Sequence, residues 1–529
     1  MTRWIFVTGG VLSGLGKGLV SASIAKLLES RGYDVVPIKC DGYLNVDAGT
    51  MNPHEHGEVY VLDDGGEVDM DFGHYERFLD LDGRQDWNLT SGKIFQQVIK
   101  EEREGEFLGE TVQMVPHVTD EIKQRFREAA EDIDADIAIV EVGGTVGDIE
   151  NMLYLEAIRQ MTSKEDTALI HLTLVPYLAS VGEQKTKPTQ HSVKDLQRAG
   201  LSPDLIIGRS EDQLEEAVKE KIALFCDVEK DAVISNPDID NIYRLPLLLG
   251  EEGADEILIR TLGMKKRRRN LEDWKDLVDN MENPKDEVKV ALCGKYTEID
   301  DTYFSVEEAL KHAGAHLKTN VRTELVDTEK IESIEEARVR LASADAVIIP
   351  GGFGERGTEG MITVAEYCRE YSKPLLGICF GMQMMVVEFA RHVADLDGAH
   401  STEIDDETPH PVIDILPDQE DQEKKGGTMR LGSYTAELEP RTKVEQLYGY
   451  QNTDERHRHR YEVNPDYVEE LEAEGLTIAG RNVDSGLTEF VEIGHHPYYI
   501  GTQAHPEFKS GLEDPHPLFI GLLEAALGG

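Results

Sequence analysis

Trp4-Ile5-Phe6-Val7-Thr8-Gly9-Gly10-Val11-Leu12-Ser13-Gly14-Leu15-Gly16-Lys17-Gly18 is the stretch on which the fold turns. An apolar strand runs into a glycine-rich turn, and a helical segment from Leu19 to Ser30 follows. Strand, turn and helix in that order aim backbone N–H groups and a helix N-terminus at phosphate. Lys17 supplies a point charge for the terminal phosphates. The loop departs from the ordinary phosphate loop in two ways. Gly10 lies one position too far from Gly16-Lys17, and Gly18 stands where a Ser or Thr normally holds Mg²⁺. A metal here must be held by carboxylates from elsewhere. Asp71 and Glu141 are the candidates. Glu141 ends the apolar run Ile137–Val140, and acids at the carboxyl ends of parallel strands face the ligand crevice.

Outward from this loop, short apolar runs alternate with helical-period segments, the pattern of α/β units around a largely parallel sheet. Strands are expected at 4–8, 35–39, 137–142, 168–175, 205–208 and 232–235. The pattern restarts at Val288-Lys289-Val290-Ala291-Leu292-Cys293-Gly294 and continues through 346–350 and 374–379. The expected fold class is α/β, with two doubly wound domains and mainly parallel sheets. The domains are placed at 1–269 and 288–529, with a linker at 270–287. The basic run Lys265-Lys266-Arg267-Arg268-Arg269 reads as a solvated helix end. Residues 414–427 are acidic and apolar-poor and read as a surface loop or hairpin.

The chain has 529 residues, and 54 Lys plus Arg against 103 Asp plus Glu leave a formal charge of −49. Such a surface argues against nucleic acid or an anionic membrane as partner. The longest apolar run, about 168–181, is broken by His171 and Pro176, so no membrane span is expected. Five scattered cysteines form no C-x-x-C pair, which leaves a disulfide framework or zinc site without support. A cytoplasmic, reducing location is expected.

One of those cysteines is placed for chemistry. Pro374-Leu375-Leu376 leads into Gly377-Ile378-Cys379-Phe380-Gly381 and then a helix, the nucleophile-elbow arrangement with sulfur as the nucleophile. The helix N-terminus favours the thiolate. A base is supplied by Gln503-Ala504-His505-Pro506-Glu507, where His505 and Glu507, read as extended chain, project to the same side. Cys379, His505 and Glu507 would then form a triad. The glycine-rich turn Gly351–Gly357, after another apolar strand, offers backbone N–H groups for an oxyanion. In the first half, Gly182 to Ser192 concentrates Lys185, Thr186, Lys187, Thr189 and Gln190, a set suited to an anionic, hydrogen-bonding ligand. A phosphate-cradling half joined to a cysteine acyl-transfer half implies ATP-driven activation coupled to hydrolysis of an amide nitrogen donor.

With these residues in hand, the chain resembles the CTP synthase family along essentially its whole length. The carrying motifs are Gly9–Gly18, Lys39–Asp47, Gly73–Phe78, Glu141–Glu150 and Lys185–Lys194, with Gly351–Gly357, Gly377–Gly381, His505 and Glu507 in a class I glutamine amidotransferase half. The resemblance implies a P-loop-like amidoligase followed by a class I glutaminase. ATP would phosphorylate O4 of UTP, and ammonia from glutamine would displace the phosphate to give CTP. It further implies ATP contacts at Gly14, Leu15, Gly16, Lys17, Gly18, Leu19, Lys39 and Asp71, with Mg²⁺ held by Asp71 and Glu141. UTP or CTP contacts would be Ser13, Lys185, Thr186, Lys187, Pro188, Thr189, Gln190 and Lys221. Asp148, Ile149 and Glu150 would belong to an inhibitory CTP site. Glutamine would meet Gly352, Phe380, Gly381, Met382, Gln383, Glu403 and Arg460, and His56 would gate an ammonia path. GTP as activator, with Arg430 associated with its action, and a homotetramer are further implications, and polymer formation is left open. Two rivals predict no glutamine-dependent conversion of UTP: a different ATP-dependent amidotransferase, and a silent nucleotide-sensing or filament protein. The lysines at 185 and 187 argue against the first and the intact triad against the second.

The charge of −49 also bears on the solvent, because a negative field repels nucleotide triphosphates. At molar salt the Debye length falls to about 3 Å and that penalty largely disappears. A halophilic type of enzyme is therefore expected.

Overall fold

The computed structural model describes residues 2–49, 51, 58–295, 302–415 and 429–528. Two units are resolved by their internal packing: residues 1–48 with 71–278, and residues 49–70 with 279–529. His56 and most of the 414–427 segment (416–427) lie outside the described residues.

The first unit is built on seven parallel strands in the order Val233–Pro237, Leu205–Ser210, Thr167–Leu174, Arg3–Gly9, Ile137–Val142, Val35–Asp41 and Asn88–Thr90. All but the last were legible as apolar runs, because strands buried on both faces need no polar alternation. The chain winds to one side of Arg3–Gly9 and then to the other. The phosphate loop thus leaves its strand at a topological switch point, where open α/β sheets bind ligands. The loop continues into the helix Lys17–Glu29, entered through Gly16 in the left-handed region (φ 82°).

The 270–287 stretch, expected as a linker, holds the helix Glu272–Glu282. Trp274 is buried against Phe78 and Tyr243 and donates its indole N–H to Tyr243 O at 2.8 Å. The basic run before it is occupied by neighbours. Arg267 lies over the Tyr33 ring, Lys266 pairs with Glu256, and Arg269 reaches Gly250 O and Asp255.

The second unit is built on a nine-stranded sheet. Five parallel ones, Thr319–Asp327, Asp286–Gly294, Ala346–Ile349, Leu375–Ile378 and Tyr499–Thr502, are extended by Thr488–Glu492, Thr477–Asn482, Arg430–Leu438 and Asn452–His459, each paired antiparallel to its neighbour. The antiparallel extension departs from the mainly parallel reading. A short hairpin, Val59–Val61 with Glu67–Asp69, also belongs to this unit although its chain position lies in the first half. Among the described residues, no helix is long and apolar enough to cross a membrane.

Candidate functional site

Three adjacent parallel strands deliver the second unit's chemistry. Ala346–Ile349 ends at the Gly351–Gly357 turn, Leu375–Ile378 at Cys379, and Tyr499–Thr502 shortly before His505. Side chains far apart in sequence therefore converge at one sheet edge. Cys379 sits at φ 51°, ψ −106°, a conformation worth about 1–3 kcal/mol of strain that the elbow imposes. A Cβ on Gly381 would lie 1.9 Å from Ile349 O, so only glycine allows this close crossing of turn and strand.

His505 does not reach Glu507 through extended chain, as expected, but through the 3-10 turn Pro506–Lys509. Pro506 starts that turn, and it brings His505 Nδ1 to 2.8 Å from Glu507 Oε1. Burial alone would lower the imidazole, but the Glu507 carboxylate and the Cys379 side chain outweigh it and raise His505 to about 10. Its other nitrogen, Nε2, is buried with no hydrogen-bond partner among the described residues. Gln503 donates its amide N–H to Cys379 Sγ at 3.7 Å, and Gln383 donates to Gln503 Oε1 and Tyr461 O.

Cys379 opens on a cavity of about 320 Å³ lined by Gly352, Phe353, Phe380, Gln383, Glu403, Met429, Arg458, His459, Arg460 and Tyr461. Five of the seven expected glutamine contacts line it. Gly381 and Met382 stand behind Phe380 on the helix Phe380–His392. Two polar groups in the wall, Arg460 Nε and Gln383 Oε1, are buried without partners among the described residues. Glu403 accepts from Gly354 N at 2.8 Å, and burial raises its carboxyl above the usual range. Lys295 pins the same turn by donating to the carbonyls of Phe353 and Gly354, and burial lowers its ammonium to about 8. Arg430 points inward: it donates to Glu462 at 2.8 Å and Glu489 at 2.6 Å.

In the first unit, Lys17 is 8% exposed and donates to Gly144 O at 2.8 Å, at the turn that follows Glu141. Burial lowers its ammonium, with Lys39 adding to the effect and Glu141, Asp71 and Asp41 opposing it. Lys39 donates to Asp71 Oδ2 at 3.2 Å and holds that carboxyl below the usual range. Tyr75, buried, donates to Glu141 Oε2 at 2.5 Å. Among the described residues, no group of three or more His, Cys, Asp or Glu is arranged for a metal. Asp71 and Glu141 both act electrostatically on the Lys17 ammonium, so two carboxylates stand near the loop, and Mg²⁺ takes one or two carboxylates with phosphate oxygens and water.

Of the remaining expected contacts, Ser13 and Gly14 are exposed on the loop, whereas Leu15 and Gly18 are buried beneath it. Lys187, Pro188, Thr189 and Gln190 form the first turn of the helix Lys187–Arg198, and Thr186 stands just before it. Lys187 donates to Gln190 Oε1 at 3.1 Å, Gln190 to Thr186 Oγ1 at 3.0 Å, and Lys185 pairs with Glu183. Lys221 is exposed on the helix Glu216–Cys226. Asp148 accepts from Thr145 N and Oγ1 at 2.7 and 2.6 Å, with Ile149 and Glu150 exposed beside it. The sequence reading missed the link between the two clusters. His171, buried and lowered to about 3 chiefly by burial, lies 2.9 Å from Thr8 Oγ1 and 2.6 Å from Ser192 Oγ. A lone histidine inside an apolar strand was the available signal.

Known proteins agree along the chain. The family description "CTP synthase N-terminus" matches residues 3–264, and "Glutamine amidotransferase class-I" matches 298–525. The CTP synthase of Natronomonas pharaonis is 54% identical across 99% of this chain and 95% of its own length. That of Thermococcus kodakarensis is 52% identical across 99% of both. A solved structure, the glutaminase domain of Trypanosoma brucei CTPS with bound acivicin, is 34% identical over 46% of this chain and 94% of that chain, with a TM-score of 0.43. With more than half of its residues shared over nearly its full length, and both halves matched in order, this chain belongs to the CTP synthase family.

Proposed function

We propose that the chain aminates UTP to CTP, using ATP to activate the pyrimidine and ammonia released from glutamine to displace the phosphate. The observation that carries the glutamine half is the Cys379 cavity, in whose wall Arg460 Nε and Gln383 Oε1 have no partner among the described residues. Arg460 offers a guanidinium to the amino-acid carboxylate, and Glu403 a carboxylate to its ammonium. Cys379 attacks the side-chain amide, His505 protonates the departing ammonia, and water then hydrolyses the thioester. Glu507 fixes the imidazole and stabilises its charged form.

In the first unit, Lys17 and Lys39 stabilise charge on the transferring phosphoryl. Mg²⁺ at Asp71 and Glu141 would supply further charge neutralisation. The Gly14–Leu19 turn cradles ATP, while Ser13, Lys185–Gln190 and Lys221 hold UTP. Asp148–Glu150 contributes to inhibition by CTP, and GTP activates glutamine hydrolysis. Arg430, being buried, would act on that step through Glu462 and Glu489. The two catalytic halves correspond to domains near 1–269 and 288–529, His56 gates the ammonia path, and the enzyme works in the cytoplasm as a homotetramer.

The purified chain, given ATP, Mg²⁺, UTP and glutamine, should show the absorbance change from UTP to CTP. Its absence in every salt condition would overturn the reading. Rate and unfolding midpoint should both climb as KCl approaches about 1 M, where surface charges are screened within about 3 Å. Full activity and stability in dilute buffer would remove the halophilic part.

The pH profile gives a separate check. Loss of the imidazolium proton sets the alkaline limb of glutamine hydrolysis, near pH 10 in the parent. Glu507→Gln removes a negative charge that favours that proton, so the limb should move to lower pH by about 1–3 units. A limb that stays in place would mean that another group sets it.

A further inference from the structure

Glutamine hydrolysis depends on where His505 is held, and the elements holding it include a piece of chain from the other half of the sequence. The hairpin Val59–Val61 with Glu67–Asp69 packs in the second unit through the strand Asn452–His459. Arg456 is the pivot, 2% exposed. Its Nε pairs with Asp63, and one terminal nitrogen donates to Val61 O at 3.2 Å and Phe508 O at 3.1 Å. Its own carbonyl accepts from His505 N at 2.7 Å.

Tyr60 acts from the same side. Its hydroxyl donates to Phe508 O at 2.8 Å, and its ring meets Phe508 edge-on at 4.9 Å. Phe508 in turn stacks on the His505 ring, with centroids 5.3 Å apart and planes 17° apart. Asp63 also accepts from Lys509 at 3.3 Å, so both Phe508 and Lys509 of the 3-10 turn are tied to the hairpin. Burial would raise the Asp63 carboxyl, but Arg456 and Lys509 outweigh it and hold it below the usual range.

A second arm of the hairpin reaches the nucleophile side. Glu67 accepts from Arg458 Nε at 2.8 Å, Arg458 lines the cavity, and its carbonyl lies 3.9 Å from Cys379 Sγ. The strand Arg430–Leu438 makes room for the hairpin at Gly432 (φ 92°), where a Cβ would lie 2.7 Å from Asp63 O and Gly65 N. Ser433 N donates to Asp63 O at 2.8 Å.

We infer that the hairpin 59–69 is a positioning element for the glutaminase, with Asp63 and Tyr60 holding the His505–Phe508 turn through Arg456. None of these residues touches the reacting atoms. They fix the imidazole against Cys379, and a misplacement of about 1 Å in such a group can slow a reaction by 10²-fold. The inference rests on Cys379, His505 and Glu507 being the glutaminase triad.

In the full-length enzyme, Asp63→Asn should lower kcat for glutamine hydrolysis by roughly tenfold or more, with KM for glutamine and the rate from added ammonia unchanged. Asp63→Glu, which keeps the carboxylate, should recover most of the rate. Tyr60→Phe removes one hydroxyl and keeps the ring, so it serves as the comparison if Asp63→Asn does not fold. A fall in ammonia-driven synthesis that matches a lowered unfolding midpoint would mean a purely structural role and overturn the inference, as would a parent-like kcat. Cys379→Ala run alongside separates the two levels. If it still hydrolyses glutamine, the triad reading fails; if it does not while Asp63→Asn does so at the parent rate, only the positioning role fails.

Discussion

Cys379→Ala is expected to abolish CTP formation from glutamine, by a factor on the order of 10⁴ or more, while CTP formation from added ammonia continues at the parent rate. Alanine removes the only atom able to form the acyl bond, and no group beside it can take over. Gln503 reaches the sulfur only as a donor, and the orphan Nε2 of His505 has nothing else to deprotonate. The substitution is also mild for the fold. Sγ makes long contacts, from Gln503 at 3.7 Å and to Arg458 O at 3.9 Å, and alanine keeps the Cβ that the elbow already accommodates. CTP formation with each nitrogen source, read beside the unfolding midpoint, decides the matter. If ammonia-driven synthesis disappeared with the fold intact, division of the chemistry into two sites would be wrong.

The complementary result is expected at Lys17. Lys17→Met should lower CTP formation from both glutamine and ammonia by about 10²–10³-fold, the usual loss when a preorganised electrostatic contact to the transition state is removed. Glutamine hydrolysis itself should persist. Methionine has a similar reach and suits a site that is 8% exposed, so the lost quantity is the charge rather than packing. Arginine would not substitute well. The lysine stem already runs so close to Gly9 that a Cβ there would lie 2.9 Å from Cδ, which leaves little room for a guanidinium. Measuring glutamate release and CTP separately in this variant makes the comparison. A parallel collapse of glutamate release would show that Lys17 supports something other than phosphoryl transfer.

The parallel cores were legible because their strands are continuous apolar runs, and the elbow because Gly377–Gly381 is a local pattern. The antiparallel extension was not. Asn452–His459 reads Asn-Thr-Asp-Glu-Arg-His-Arg-His, a strand without an apolar face. It is held because its polar and charged side chains find Asp63, Glu67, Glu489 and His516 from distant parts of the chain. Periodicity carries no trace of partners so remote. Tyr75 under Glu141, Gln503 beside Cys379 and His171 between Thr8 and Ser192 escaped for the same reason. Each was visible as a residue, but its role is created by a neighbour that only the fold supplies. The 270–287 stretch, read as a polar linker, holds a helix that is mostly charged and is anchored by its buried Trp274 and Val278.

The chain passes between its two units three times, at 48–49, 70–71 and 278–279. No single cut can therefore separate them. A gene fragment starting near 279 would encode a glutaminase without the hairpin that braces Arg456. The remaining fragment would carry that hairpin with nothing to brace. The halves of this enzyme are thus not interchangeable modules: recombination that swaps one for a relative's must also preserve the stitch from 49 to 70, and selection acts on both as a single heritable piece.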